Sequence, residues 1–392
     1  MKLVVCIGFW VLSVVAQAQL PALAQESAPT LPPFVERLEP EISDTAVLPP
    51  MSPHRLWLVE RYSGQMQILD ADTGDTLGSM YSASLSNFAS GPAHSNVYVA
   101  ETVWSKGNRG ARQDLLTVYD GTTLKLLSEI NLPGRIYMAP RSPNFVVTAS
   151  GTRAYVYNMQ PASSVVVVDL KSHKVLRTVD TPGCALVYPS ADDSFSSLCG
   201  NGSLATVSNP QRAPSLVRSE PFFDAQNDPV FEESPNDSAT GNTLFVTYSG
   251  VVHPVKLGAT PAFSTAWSLT ESAGLARASL NTGDLAWRPG GDLPVAVHRA
   301  TGRMFALMHA GETWSHKKPG TELWVVDLAS RQTIRRMELE TAASAVAVSQ
   351  DNKPLLYLID TKQTLRILDA ATLKELRTIE NVRNVVPYVP AS

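Results

Sequence analysis

The chain has 392 residues, 44% of them hydrophobic, with 28 prolines, 23 glycines and a formal charge of −4 at neutral pH. That length can bury a large core, and the proline and glycine content implies many turns. The mild negative charge argues against a nucleic-acid binder and carries no membrane-surface signal.

Residues 1–24 read as a secretory signal. Lys2 supplies the positive start, Leu3 to Ala16 is free of charge, and Ala22-Leu-Ala24 is a small-x-small cleavage site; Ala16-Gln-Ala18 offers a second. The apolar run is shorter than the roughly 20 residues of a membrane span and is followed by Pro21, which excludes insertion as the simplest reading. Cleavage removes Lys2 and Cys6, taking the charge from −4 to −5. Residues 25–50 follow, with Pro29, Pro32, Pro33, Pro40, Pro49 and Pro50 among acidic residues, and read as an extended arm. Residues 51–392 are then expected to form a single domain.

That domain repeats one phrase. Leu115-Leu-Thr-Val-Tyr-Asp120, Val165-Val-Val-Val-Asp169, Leu323-Trp-Val-Val-Asp327 and Leu365-Arg-Ile-Leu-Asp369 are clear copies, and Gln67-Ile-Leu-Asp70 is a shorter one. In each, a β-rich apolar run ends in Asp, a polar turn follows, and a second amphipathic run returns, as in Lys174-Val-Leu-Arg-Thr-Val179. This is a β-hairpin pattern. The aspartates are spaced by 50, 49, 158 and 42 residues. The long gap has room for about two weaker copies, assigned to Ser203–Val207 and Leu244–Tyr248. Further strand-like runs, such as Asn96–Ala100, Phe145–Thr148, Met304–Met308 and Leu355–Ile359, precede the Asp-ended strands. The expectation is an all-β, seven-bladed β-propeller of four-stranded antiparallel blades. No long stretch has helical spacing of apolar residues, which disfavours a parallel βα fold.

Once Cys6 is removed, Cys184 and Cys199 remain, 15 positions apart. In an exported chain such a pair is most simply a disulfide; a metal or redox pair is the alternative, with no His between them and no Cys-x-x-Cys in its favour. The seven histidines are scattered, and no nucleophile elbow, phosphate loop or zinc-protease helix is present. No catalytic residue and no metal ligand is therefore assigned.

Two insertions concentrate residue types that anchor interfaces. Glu101 to Asp114 holds Trp104, Arg109, Arg112 and Asp114, and His309 to Gly320 holds Trp314, His316 and Lys317. Both precede an Asp-ended strand and should emerge on one face. The competing reading is solvated loops whose charges serve solubility. A third insertion, from about Asn209 to Asp237, reads as a surface loop.

At these residues the chain resembles the heavy subunit of the methylamine and aromatic amine dehydrogenases. The similarity rests on Thr102-Val-Trp-Ser105 running through Arg109-Gly-x-Arg112-x-Asp114, on Val179-Asp-Thr-Pro-Gly-Cys184 with Leu198-Cys199, and on Ser315-His-Lys317 before Leu323–Asp327. Tyr248-Ser-Gly-Val-Val-His253, Trp287-Arg-Pro-Gly-Gly291 and Ser349–Tyr357 add to it, so it extends from about residue 50 to the C-terminus. The resemblance implies a seven-bladed propeller, a periplasmic location and a disulfide between Cys184 and Cys199. It also implies two heavy and two light chains, tryptophan tryptophylquinone in the light chain, and a small copper protein as electron acceptor. In that family a longer first blade carries a Phe lining the substrate channel. Here Arg55 to Gly64 is shorter and lacks the Phe, and Tyr62 falls near that position. The expected function is a non-catalytic heavy subunit that scaffolds a light chain oxidising primary amines to aldehyde and ammonia. A stand-alone exported propeller that binds a ligand or protein is the alternative. A propeller hydrolase would need acidic metal ligands converging on the central channel.

Overall fold

The computed structural model describes residues 47–389, apart from 61, 93, 94, 137 and 138. The expected signal, both cleavage points and the arm up to residue 46 lie outside the described residues.

The repeated Asp has a local physical cause. Each clear copy ends a strand, and its carboxylate accepts hydrogen bonds from backbone N–H groups of the turn it begins. Asp70 accepts from Asp72, Asp120 from Thr122 and Thr123, Asp169 from Lys171 and Ser172, Asp327 from Ser330, and Asp369 from Ala371 and Thr372. This is the Asx turn. Four residues after each Asp the backbone turns left-handed: Gly74 (φ 85°), Leu124 (55°), His173 (53°), Arg331 (55°) and Leu373 (60°). Each hairpin also carries a register shift just before its turn, as at Val167/Val168 and Ile367/Leu368. A type I turn closed by an αL residue and a bulge gives this combination. The turn aspartates are held as carboxylates, since turn hydrogen bonds lower the pKa of Asp120, Asp169, Asp327 and Asp369.

The named strands pair antiparallel throughout, and among the described residues helix is confined to Leu269–Ser272, a 3-10 turn at Ser142–Asn144 and a 3-10 position at Pro92. The first sheet comprises Arg55–Glu60, Gln65–Asp70, Thr76–Tyr81 and, from the far end of the chain, Val385–Tyr388. The C-terminal strand pairs Trp57 with Tyr388 and Glu60 with Val385. Phe88, from the next sheet, packs between these partners, with ring centroids 4.8 Å from both Trp57 and Tyr388. Ser90 N–H donates to the Tyr388 hydroxyl at 3.1 Å. Hydrogen bonds and rings therefore close the circle between the first and last strands.

The number of blades differs from expectation. The propeller has five blades, not seven. Five sheets have four or five strands each, while the C-terminal third forms one eight-stranded sheet. The physical reason is the 17-residue strand Gln332–Val348, which runs without a break from pairing with Gly320–Asp327 to pairing with Leu355–Asp360. What the repeat suggested as two separate units is thus one continuous hydrogen-bonded surface. Phe145–Val147 also differs from the other runs grouped with it. It is an inner strand on Arg153–Gln160, and that strand in turn pairs with Ser164–Asp169.

The core is a series of apolar clusters between neighbouring sheets. One joins Tyr98, Leu116 and Val118 to Phe145, Val156 and Val166; another joins Leu56, Leu58 and Leu69 to Tyr357, Leu365 and Ile367. A fully buried aliphatic side chain contributes roughly 1.5–3 kcal/mol, so these interfaces dominate the stability of the ring.

Candidate functional site

The segment from Glu101 to Asp114 is not a loop. Asn96–Lys106 and Arg109–Asp120 form one long hairpin, turning at Gly107 and Asn108, with Trp104 opposite Arg112 and Thr102 opposite Asp114. Asp114 is buried and accepts a hydrogen bond from Thr102 Oγ1 at 2.5 Å. Its other oxygen forms an ion pair with Arg112, whose guanidinium lies 6.0 Å from the Trp104 ring centre. Arg112 and Asp114 therefore stiffen the hairpin, while Arg109, like Lys106 across the turn, is exposed.

The segment from His309 to Gly320 is a tightly tied excursion between Arg303–Gly311 and Gly320–Asp327. Ser315 Oγ donates to the Glu312 carbonyl at 2.6 Å and stands 2.8 Å from His309 Nε2. Since Ser315 has spent its one proton, His309 Nε2 is the donor in that contact, and its buried Nδ1 is left without a partner. Burial, then the cations Lys318 and Arg288, then His316, push the His309 pKa down to about 4. The ring is therefore neutral at neutral pH.

Above this, His316 stacks on Tyr248 with ring centres 3.7 Å apart and planes 9° apart. Trp314 meets Tyr248 edge-on at 6.1 Å, and Phe231 supports Tyr248 from beneath at 4.8 Å. Trp314 is 54% exposed and sits at φ 69°, a left-handed backbone that a bulky residue adopts only when its surroundings impose it. Buried Arg288 fixes the neighbouring segment: its guanidinium donates to the carbonyls of Gly311 and Ser279 and to Thr313 Oγ1. With Thr313 Oγ1 donating to the Asn281 carbonyl at 3.2 Å, this ties the stretch bearing exposed Leu280 to the Trp314 segment; Leu285 is exposed a few residues on.

Both segments, and the turn bearing Tyr62, lie on one face. A small cavity there is lined by Val59, Asn87, Arg141, Asp292 and Val386, which stand at the strand ends nearest those turns. Tyr62 is 63% exposed. The residues expected at the interface fall into two clusters, Trp104–Arg112–Asp114 and Trp314–His316, and no ring contact or ion pair joins them among the described residues. Lys317 is exposed and helps to lower the His316 pKa, after burial. Phe231, Tyr248, Arg288, Leu280 and Leu285 were not singled out individually from the sequence. Tyr248, Arg288 and Phe231 each lie in a segment noted in the sequence, but their meeting at this site depends on distant parts of the chain coming together.

Cys184 and Cys199 form a disulfide across directly opposed strand positions. Arg218 donates to both sulfurs, at 2.9 and 3.0 Å, and to the Pro182 carbonyl at 2.6 Å. Among the described residues no group of three or more His, Cys, Asp or Glu is placed to hold a metal ion.

The fold and this face define an all-β propeller protein with an exposed, braced aromatic cluster. The family follows from comparison: residues 60–389 match the model of the methylamine dehydrogenase heavy chain, and the chain belongs to that family. It is 29% identical over 328 residues to the methylamine dehydrogenase heavy chain of Methylorubrum extorquens, covering 81% of this chain and 77% of that protein. The heavy chain of Methylophilus methylotrophus is 24% identical over 354 residues, covering 88% and 85%. Among solved structures, a protein of unknown function from Desulfotomaculum acetoxidans superposes with a TM-score of 0.59 at 9% identity, covering 86% of this chain and 99% of that one; this likeness concerns the fold alone.

Proposed function

We propose that this chain is the non-catalytic heavy subunit of a periplasmic quinoprotein amine dehydrogenase. Residues 1–24 are its cleaved export signal, 25–50 its N-terminal arm and 51–392 its propeller. It docks a light subunit, as two heavy and two light chains, through the face bearing Trp104, Arg109, Trp314, His316 and Lys317, with Tyr62 at the edge of the substrate path. Tryptophan tryptophylquinone in that light chain supplies the redox chemistry that turns a primary amine into aldehyde and ammonia. A small copper protein takes the electrons. The heavy chain's part is to orient the light chain and exclude water from its reacting edge.

The observation that carries this reading is Trp314. An exposed indole held in a left-handed backbone conformation and braced by the Tyr248–His316 stack is a preorganised anchor of the kind that dominates interfaces. Activity measurement tests it. The purified chain alone should oxidise no amine, and turnover should appear on adding a light chain that carries the modified tryptophans. Turnover by the isolated chain, or its recovery from the native host only as a lone monomer, overturns the proposal.

A further inference from the structure

We propose that the axial cavity is a second binding site, taking a small organic anion with an apolar body and entered from the face opposite the hairpin turns described above. This goes beyond the heavy-subunit reading and does not depend on it.

The cavity measures about 760 Å³, within the range of small-molecule sites. Its wall is apolar over most of its length, with Phe145, Val147, Val295, Val297, Val346 and Val348 contributed by inner strands. The two ends differ in chemistry. Toward the turn-bearing face, Arg141 bridges to Glu232 at 2.9 Å, Ser142 N–H donates to Glu233 at 3.0 Å, and Arg141 N–H donates to Asn87 at 3.1 Å. These bonds brace segments from different sheets across the axis and leave only a small space of about 50 Å³ on that side. Burial acts to lower the Arg141 pKa, but Glu233, Glu232 and Asp292 outweigh it, so the brace stays charged.

The opposite mouth is cationic. Among the described residues, Lys256 and Arg299 line it with a single carboxylate, Asp237. Strand pairing sets Asn242 opposite both Lys256 and Asp237, so the two ionic residues share one strand end. Asp237 is already engaged: it accepts from Thr240 Oγ1 at 2.5 Å and from Ala239 N–H at 3.2 Å, and stands 3.5 Å from Arg299. Two cations against one committed carboxylate leave a positive mouth above an apolar well. A carboxylate head can pair with Lys256 and Arg299 while its chain displaces water from the valine layer. An ammonium head of the same shape would face repulsion at the same place.

Calorimetric titration of the full-length chain tests this with three probes: hexanoate, acetate (the head without the body) and hexylammonium (the body with the charge inverted). Hexanoate should bind at one site at least about tenfold more tightly than either control. Lys256→Gln and Arg299→Gln, both outside the packed core, should each weaken it about tenfold while leaving the melting temperature unchanged. Absence of saturable hexanoate binding, equal binding of hexylammonium, or affinity unchanged in both variants overturns the inference.

Discussion

Tyr248 and His316 lie ring on ring, 3.7 Å between centres, and together they form the wall against which exposed Trp314 is set. Without that wall the indole would be free to turn, and ordering it on binding would cost affinity. Trp314→Ala should weaken light-chain binding by about 2 kcal/mol or more, roughly thirtyfold, with little change in folding stability. His316→Ala should give a smaller loss by the same route. Surface plasmon resonance on both variants beside their melting curves would check this, and wild-type affinity in Trp314→Ala would remove the anchor.

The arginines of the long hairpin should behave differently from each other. Arg112 neutralises the buried carboxylate of Asp114, so Arg112→Ala leaves a charge uncompensated and should cost about 1–3 kcal/mol of stability. Arg109 is exposed near the turn, and Arg109→Ala should change stability by no more than about 0.5 kcal/mol while slowing association with the partner. Chemical denaturation and association rates at two salt concentrations separate the two effects.

Acid should loosen the segment from residue 309 to 320. His309 is neutral in the fold because burial and its cationic neighbours depress its pKa to about 4, whereas an unfolded His titrates near 6.5. Between those values the unfolded state binds more protons, so stability is full above about pH 6.5 and falls as the pH drops toward 4. Allowing for solvent screening, the loss is about 2 kcal/mol. Melting temperatures from pH 7 to pH 4 should fall less steeply for His309→Gln than for the wild type; equal slopes would show that another group is responsible.

The five equivalent αL positions make a conformational prediction. Gly occupies one of them, Gly74, while Arg331 adopts φ 55° with a side chain at the expense of local strain. Arg331→Gly should relieve that strain and stabilise the chain by up to about 1 kcal/mol. A lower denaturation midpoint for the variant would mean that the Arg331 side chain makes a compensating contact.

The hairpins were legible in the sequence because a single chemical requirement recurs. An Asx turn needs its Asp at one place, and the polar residues after it follow. Blade number was not legible, because sheet boundaries depend on where hydrogen bonding stops. From Glu340 to Ser344 the chain reads Glu-Thr-Ala-Ala-Ser, with no Gly or Pro to mark a break, and the strand runs straight through it. The disulfide could be expected from two cysteines in an exported chain, whereas the guanidinium across its sulfurs could not, since Arg218 arrives from another strand. Trp314 and His316 stood out by residue type. Their supports, Phe231 and Tyr248, come from connections that flank the strand Asn242–Val246 of a different sheet, and no local pattern announces such a meeting.

The pairing of Val385–Tyr388 with Arg55–Glu60 has a consequence for biogenesis. The strand that completes the first sheet is synthesised long after the strand it pairs with, so a nascent chain cannot close the circle until Val385–Tyr388 has emerged. Until then the edge of Arg55–Glu60 stands bare beside the Trp57 and Phe88 rings, a sticky template for foreign strands. Deletion of Val385–Tyr388 would therefore prolong a vulnerability that begins hundreds of residues earlier in the polypeptide.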